Sequence, residues 1–412
     1  MSNGSNNYDL IIVGGGAIGL STAYSAVQSG LKTLVLEKDT SLLNQNGASA
    51  GYSRQFRLQY AVQYMAELCL ASVPFWNALQ QYALNYPLVG KDGSLWFGDP
   101  AFDSREGNIK ASEEVMDKLG IPYTKLNAQQ IESKYHFPNL KSTYSGFFQP
   151  GGGIINLTLT LGTMLEIIGQ LGPGSVDIHQ HEPVTNITST SGGGITVTTG
   201  QGQYSAGKLA ITAGPWVNDM VGFFGLEVPI IIWEMCSAYF KVTDPSYKYE
   251  TWFYYGGEKN DFYGFPQVDW PFQGYIRVAP DFPDKVIQHP SQRNSKPDPK
   301  NLELTSQFVA QHMKGVDPKP QFASTCLAPL ARSENPNVEL LLDYAPPSVP
   351  NNKQIVVYTA GWAGKFIPIL GNMICQMLTS SNLTSFNYSG YTIPLSNFAI
   401  GWNTHAQRRR LR

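Results

Sequence analysis

"YDLIIVGGGAIGLSTAYSAVQSGLKTLVLEK", residues 8–38, decides how the rest of the chain is read. Asp9–Gly14 is an apolar run that ends in glycines, as in a strand buried on both faces. After Gly16, residues Ala17, Ile18, Leu20, Ala23, Tyr24 and Val27 fall at helical spacing, and Gly30 stops the helix. Lys32–Glu37 reads as a second strand. In such a unit Gly14 permits a sharp turn, Gly16 lets the backbone approach a pyrophosphate, and Gly19 lets the helix pack on the strand. The helix start at Ala17 and Ile18 offers free N–H groups and a partial positive charge. Glu37, about 20 residues on, is placed to accept hydrogen bonds from ribose hydroxyls, with Lys38 beside it. An acid there disfavours a 2′-phosphate, which leaves FAD or NAD ahead of NADP.

The totals fit a globular protein of one elaborate or two simpler domains. The chain has 412 residues, 42% hydrophobic and 15% charged, and its 29 Lys plus Arg nearly balance 31 Asp plus Glu. No broad basic surface points to nucleic acid, and no apolar run reaches the ~20 residues that cross a bilayer. With polar first residues and no visible leader, a cytoplasmic protein is expected. Cys69, Cys236, Cys326 and Cys375 are scattered without a C-x-x-C, which argues against a disulfide framework and a zinc site. His179 and His181 alternate on one expected strand, without the accompanying carboxylate–His cluster of a metal site, so no metal is expected. Gly47–Gly51 is formally G-x-S-x-G, but a polar loop precedes it where a nucleophile elbow needs a strand.

Further along, 61–85 reads as helix, 86–145 as short strands and helices, and 176–214 as strands joined by glycine turns. Residues 229–282 are crowded with aromatics and carry period-2 stretches such as "GYIRV", as in an antiparallel sheet whose rings serve as core or pocket wall. "QIVVYTAGWAGKF", 354–366, is another apolar strand ending in small residues. The nucleotide-fold elements are thus split along the chain. The expected class is α/β, a Rossmann-like FAD-binding domain (1–85, 146–220 and 321–390) with an inserted mixed or antiparallel-sheet substrate domain (86–145 and 221–320) and a C-terminal tail (391–412).

The N-terminal fingerprint, "GYSRQFR", "KLAITAGPW", "GYIRV", "STC" and "TAGWAGK" together resemble the monomeric sarcosine oxidase family of FAD-dependent amine oxidases, within the D-amino-acid oxidase-like group. The resemblance spans nearly the whole chain. It implies FAD as cofactor, with Ser53 and Arg54 on the flavin side, Val184 at the adenine, Gly214 and Trp216 in a second turn beside the cofactor, and Gly361, Trp362 and Gly364 in the flavin loop. Cys326 matches the cysteine joined by a thioether to the flavin. Arg57 would face a substrate carboxylate, and Tyr263 matches an active-site tyrosine. Arg277 stands where the family has a lysine over the flavin that promotes reaction with oxygen. Lys365 is either the substrate-binding lysine or part of the flavin loop.

The implied reaction is hydride transfer from an amine or amino acid to flavin N5, giving an imine and, with O2, hydrogen peroxide. A dehydrogenase using another acceptor is the alternative. The implied partners are a small amine or amino acid and O2, without nucleic acid or membrane, in a monomer or small homo-oligomer.

Overall fold

The computed structural model describes residues 6–404, apart from 84, 173, 193, 333–337 and 381; for 403 and 404 it describes the backbone only. The basic end of the expected tail, 408–412, lies outside the described residues. The protein has a mixed α/β fold organised around two large sheets.

The first sheet begins with the opening stretch. Strand Asn7–Val13 pairs in parallel with Thr33–Leu36 on one side and Gln203–Ile211 on the other. Val176–His179 and Ile355–Thr359 extend it in parallel at either side, and Leu341–Tyr344 closes one edge antiparallel. Leu10, Ile11 and Ile12 are fully buried because the helices and loops on both faces need apolar partners. Each such side chain contributes about 1.5–3 kcal/mol by leaving water. Helix Ala17–Gln28 crosses one face and packs against helix Ile367–Thr379, where Ser21 Oγ donates to the Ile367 carbonyl at 2.6 Å.

The second, nine-stranded sheet carries the aromatic segment. Its long strands Ile230–Val242 and Val316–Ala331 run antiparallel, with Met235 opposite Cys326. Tyr275–Pro280 lies on the other side of Ile230–Val242 and sets Arg277 opposite Tyr239. Thr251–Tyr255 pairs in parallel with Ser94–Gly98, so the sheet is mixed. Ser145–Gln149 and Val316–Ala331 both belong to this sheet, so boundaries placed at 146 and 321 run through strands of the second layer. A short antiparallel pair, Ser53–Phe56 with Gly153–Asn156, lies between the layers and delivers Arg54 and Arg57 to the crevice.

Among the described residues, no helix is long and apolar enough to cross a membrane. The expected His179–His181 strand ends at His179; His181 lies beyond it with φ of 56°. His179 Nδ1 meets Glu182 at 2.9 Å, and Glu182 also accepts from Thr199 and Tyr204. These bonds place His179 in a structural hydrogen-bond network at the end of a half-buried strand.

Candidate active site

A cavity of about 510 Å³ runs between the two layers, from Gly14, Glu37 and Val184 at one end to Arg57, Glu106 and Lys365 at the other. Its first end is built by the glycine turn. Gly14 has φ of 104° and sits against the Thr212 backbone, a conformation and a contact that a side chain would forbid. A Cβ on Gly19 would overlap the Gly14 carbonyl oxygen. At Gly16, by contrast, a Cβ would meet only Ser49 Oγ, so this position is open toward the cavity. Helix Ala17–Gln28 therefore starts on a bare backbone whose first N–H, from Ala17, is taken by Ser49 Oγ at 2.9 Å. This bond explains the G-x-S-x-G stretch as a brace for the helix start.

Glu37 has a second duty that the spacing did not reveal. Its carboxylate accepts from Gly15 N–H at 2.8 Å and from Asp39 N–H at 2.9 Å, which ties the second strand to the glycine turn. Lys38 Nζ lies 4.1 Å over the Trp216 ring and meets Asp39 at 2.9 Å. Gly214, Trp216 and Val184 all line this part of the cavity.

At the middle of the cavity, Ser53, Arg54, Tyr263, Arg277 and Cys326 come together. Arg277 donates to Ser53 O at 2.9 Å and to Ser53 Oγ at 3.0 Å, with its guanidinium 4.9 Å over Phe265. Arg54 donates to the carbonyls of Ala48, Ala50 and Ser53, so it braces its own loop. Burial pulls Arg54 below the ordinary arginine value, and the nearby Arg277 adds to this. Burial likewise pushes the Tyr263 hydroxyl up, which keeps it protonated. Gly361, Trp362 and Gly364 line the adjoining wall, and Trp362 N–H donates to Glu339 at 3.2 Å.

The far end contains residues that local spacing could not identify. Arg57 is ion-paired with Glu106, from the loop before helix Ile109–Leu119, and both are buried. Tyr60 and Trp96 flank the guanidinium at 4.4 and 4.7 Å. Burial works against the Arg57 charge, but Glu106 offsets it and holds the guanidinium protonated. Lys365 Nζ donates to Tyr60 Oη at 2.6 Å, and burial together with the Arg57 charge brings its ammonium down to about 8. Asp281 also faces the cavity, its carboxyl pushed well above the usual range by burial and then by Glu106. Glu106, Tyr60 and Asp281 gave no signal of their own, since each reads as an ordinary loop or strand-end residue.

Residues 9–377 match the DAO family, described as FAD dependent oxidoreductase. The chain belongs to this family. The solved structure of NikD, an unusual amino acid oxidase essential for nikkomycin biosynthesis, is similar with a TM-score of 0.85 and 32% identity, covering 96% of this chain and 97% of that one. A Dictyostelium discoideum protein named for a bifunctional amine oxidase activity is 32% identical over 96% of this chain, which spans 38% of that protein's length. The peroxisomal sarcosine oxidase of Homo sapiens is 24% identical, over 90% of this chain and 92% of its own. The expected resemblance therefore holds, and the chain is an FAD-dependent oxidoreductase related to amine and amino-acid oxidases.

The cavity suits that cofactor. Gly16 leaves room for a phosphate at a bare helix start, and a deep wall of mixed polarity continues from it. Two guanidinium nitrogens in that wall, Arg57 Nε and Arg277 Nε, are buried without a hydrogen-bond partner among the described residues. Buried donors left unpaired are costly, so both positions favour an acceptor in the cavity.

Proposed function

We propose that the protein oxidises an amine that carries a carboxylate, with the carboxylate held by Arg57 and Lys365. Two cationic side chains on one wall, one with a free Nε, are the observation that carries this reading. Glu106 pairs with Arg57 and offsets one of the two positive charges. In this reading the glycine turn at Gly14–Gly19 and the helix start at Ala17 and Ile18 hold the FAD diphosphate, Glu37 and Lys38 flank the ribose, and Val184 meets the adenine. Ser53, Arg54, Gly214, Trp216, Gly361, Trp362 and Gly364 surround the remainder, and Cys326 is the point of covalent attachment.

When bound, FAD supplies the two-electron acceptor for the C–H bond next to the substrate nitrogen. The protein's own part is orientation and field. Arg57 and Lys365 fix the carboxylate, Tyr263 and Trp362 border the substrate, and burial raises the Asp281 carboxyl, which disfavours a further negative charge in the wall. The first layer, with the glycine turn, carries the nucleotide, and the second, aromatic layer supplies the substrate wall.

An anaerobic screen of amines and amino acids, followed by bleaching of the flavin absorbance, tests the reading. Carboxylate-bearing amines are expected to bleach it and their amides are not; equal bleaching by both overturns it. Colour retained on acid-precipitated protein, and lost in Cys326→Ser, is the expected result for the covalent link. For the acceptor, the Arg277 guanidinium supplies a fixed positive charge that favours O2 reduction. The bulk and delocalised charge of a guanidinium favour instead an acceptor other than O2. Peroxide release measured against dye reduction separates them.

A further inference from the structure

Tyr60 is 3% exposed and does not line the cavity, yet it touches both cations that do. Its ring lies 4.4 Å beneath the Arg57 guanidinium, and its hydroxyl accepts from Lys365 Nζ at 2.6 Å. Phe366 stacks on the ring at 6.2 Å, and Trp76 Nε1–H donates to the Lys365 carbonyl at 2.8 Å, so the partners on both sides are themselves held. Two like charges in one buried wall repel each other and lose hydration, and a neutral ring and hydroxyl between them compensate both. Glu106 and Glu339 also act electrostatically on both cations, and Tyr60 adds a ring against one and a hydroxyl acceptor for the other.

We propose that Tyr60 is the positioning residue that sets Arg57 and Lys365 relative to each other for a carboxylate ligand. The inference rests on the carboxylate reading above. The charged and titratable groups facing this trio are Glu106, Glu339 and Cys69. A hydroxyl that accepts from an ammonium favours the charged amine, so Tyr60 works against the burial that discharges Lys365.

The test uses the FAD-loaded protein, with benzoate and its uncharged amide, benzamide, as probes read by perturbation of the flavin spectrum. Wild type is expected to prefer benzoate. Tyr60→Phe keeps the ring and removes the acceptor. It is expected to weaken benzoate about tenfold, to change benzamide less than about twofold, and to move the pH at which benzoate binding falls to a lower value. In a Lys365→Met background, Tyr60→Phe is expected to add almost nothing, because the interaction it removes is already gone. A wild type that prefers benzoate, with Tyr60→Phe matching it in both preference and pH profile, overturns this inference alone. Equal loss of both probes, or an undiminished Tyr60→Phe effect in the Lys365→Met background, assigns Tyr60 a packing role and also overturns it. A wild type that binds both probes equally overturns the carboxylate reading and this inference with it.

Discussion

The Arg57 guanidinium and the Glu106 carboxylate, 49 residues apart in the chain, form an ion pair buried in the cavity wall. The pair has two opposing consequences. Glu106 stabilises the buried cation, and it competes for that cation with any incoming carboxylate. Breaking a buried pair by removing one partner costs about 3–5 kcal/mol. Glu106→Gln is therefore expected to lower the melting temperature clearly while tightening benzoate binding to the holoprotein. A variant that is both less stable and weaker in benzoate binding would show that Glu106 organises the site rather than competing within it.

Lys365 gives the site a pH dependence of defined sign. Its folded value of about 8 lies below the ordinary 10.5 because burial and Arg57 disfavour the charge. Below pH 8 the buried ammonium is charged and available to a carboxylate; above it the affinity falls. Stability moves the other way. Between about 8 and 10.5 the unfolded chain holds more protons than the folded one, so stability rises with pH through that window. Benzoate titrations and urea melts across pH 7–10 should show both slopes, and Lys365→Met should flatten both.

The nucleotide half was legible because its signals are local. Glycine spacing, a change from strand to helix period and an acid at the next strand end all fall within residues 8–38. The substrate end was only half legible. Arg57 and Lys365 stood in recognisable short motifs, whereas Glu106 sits in "DSREGN", which reads as a surface loop. It is buried with Arg57, 49 residues away in the chain, and no local period records that contact. The aromatic segment shows the same limit. Period 2 identified strands, but what packs on each face decides that Trp252 stacks on Phe308 of helix Pro299–His312 in the core while Phe253 lines the cavity.

Two glycines of the turn make opposite demands, and substitution should separate them. A Cβ on Gly19 collides with the Gly14 carbonyl, so Gly19→Ala must push the helix off the strand. A loss of more than about 2 kcal/mol is expected, in the range of strained core changes. Gly16 has φ of −70°, which any residue tolerates, and its Cβ would meet only Ser49 Oγ at 3.1 Å. Gly16→Ala should fold with a nearly unchanged apoprotein melting temperature and lose most of its FAD affinity, because the methyl occupies the phosphate space. FAD titration by fluorescence quenching, paired with apoprotein melts, reads both. Unchanged FAD affinity in Gly16→Ala would move the diphosphate away from this turn.

Outside the cavity, Glu250 stores a stability cost that pH exposes. It precedes strand Thr251–Tyr255, and its Oε2 is buried without a hydrogen-bond partner among the described residues. Burial lifts its carboxyl to about 7; Lys134 opposes the rise and the like charge of Asp92 adds to it. At pH 4 the group is protonated in both the folded and the unfolded state and costs nothing. As pH rises from about 4.5 to 7, the unfolded chain releases a proton that the folded chain still holds, so stability falls across that window. Above pH 7 the folded protein carries a buried anion. Glu250→Gln removes the charge and retains the shape, so it should match wild type near pH 4.5 and exceed it at pH 8 by on the order of 2 kcal/mol. Chemical denaturation at the two pH values measures this. A difference of equal size at both would mean that the amide acts through packing and that the carboxyl is not the source of the cost.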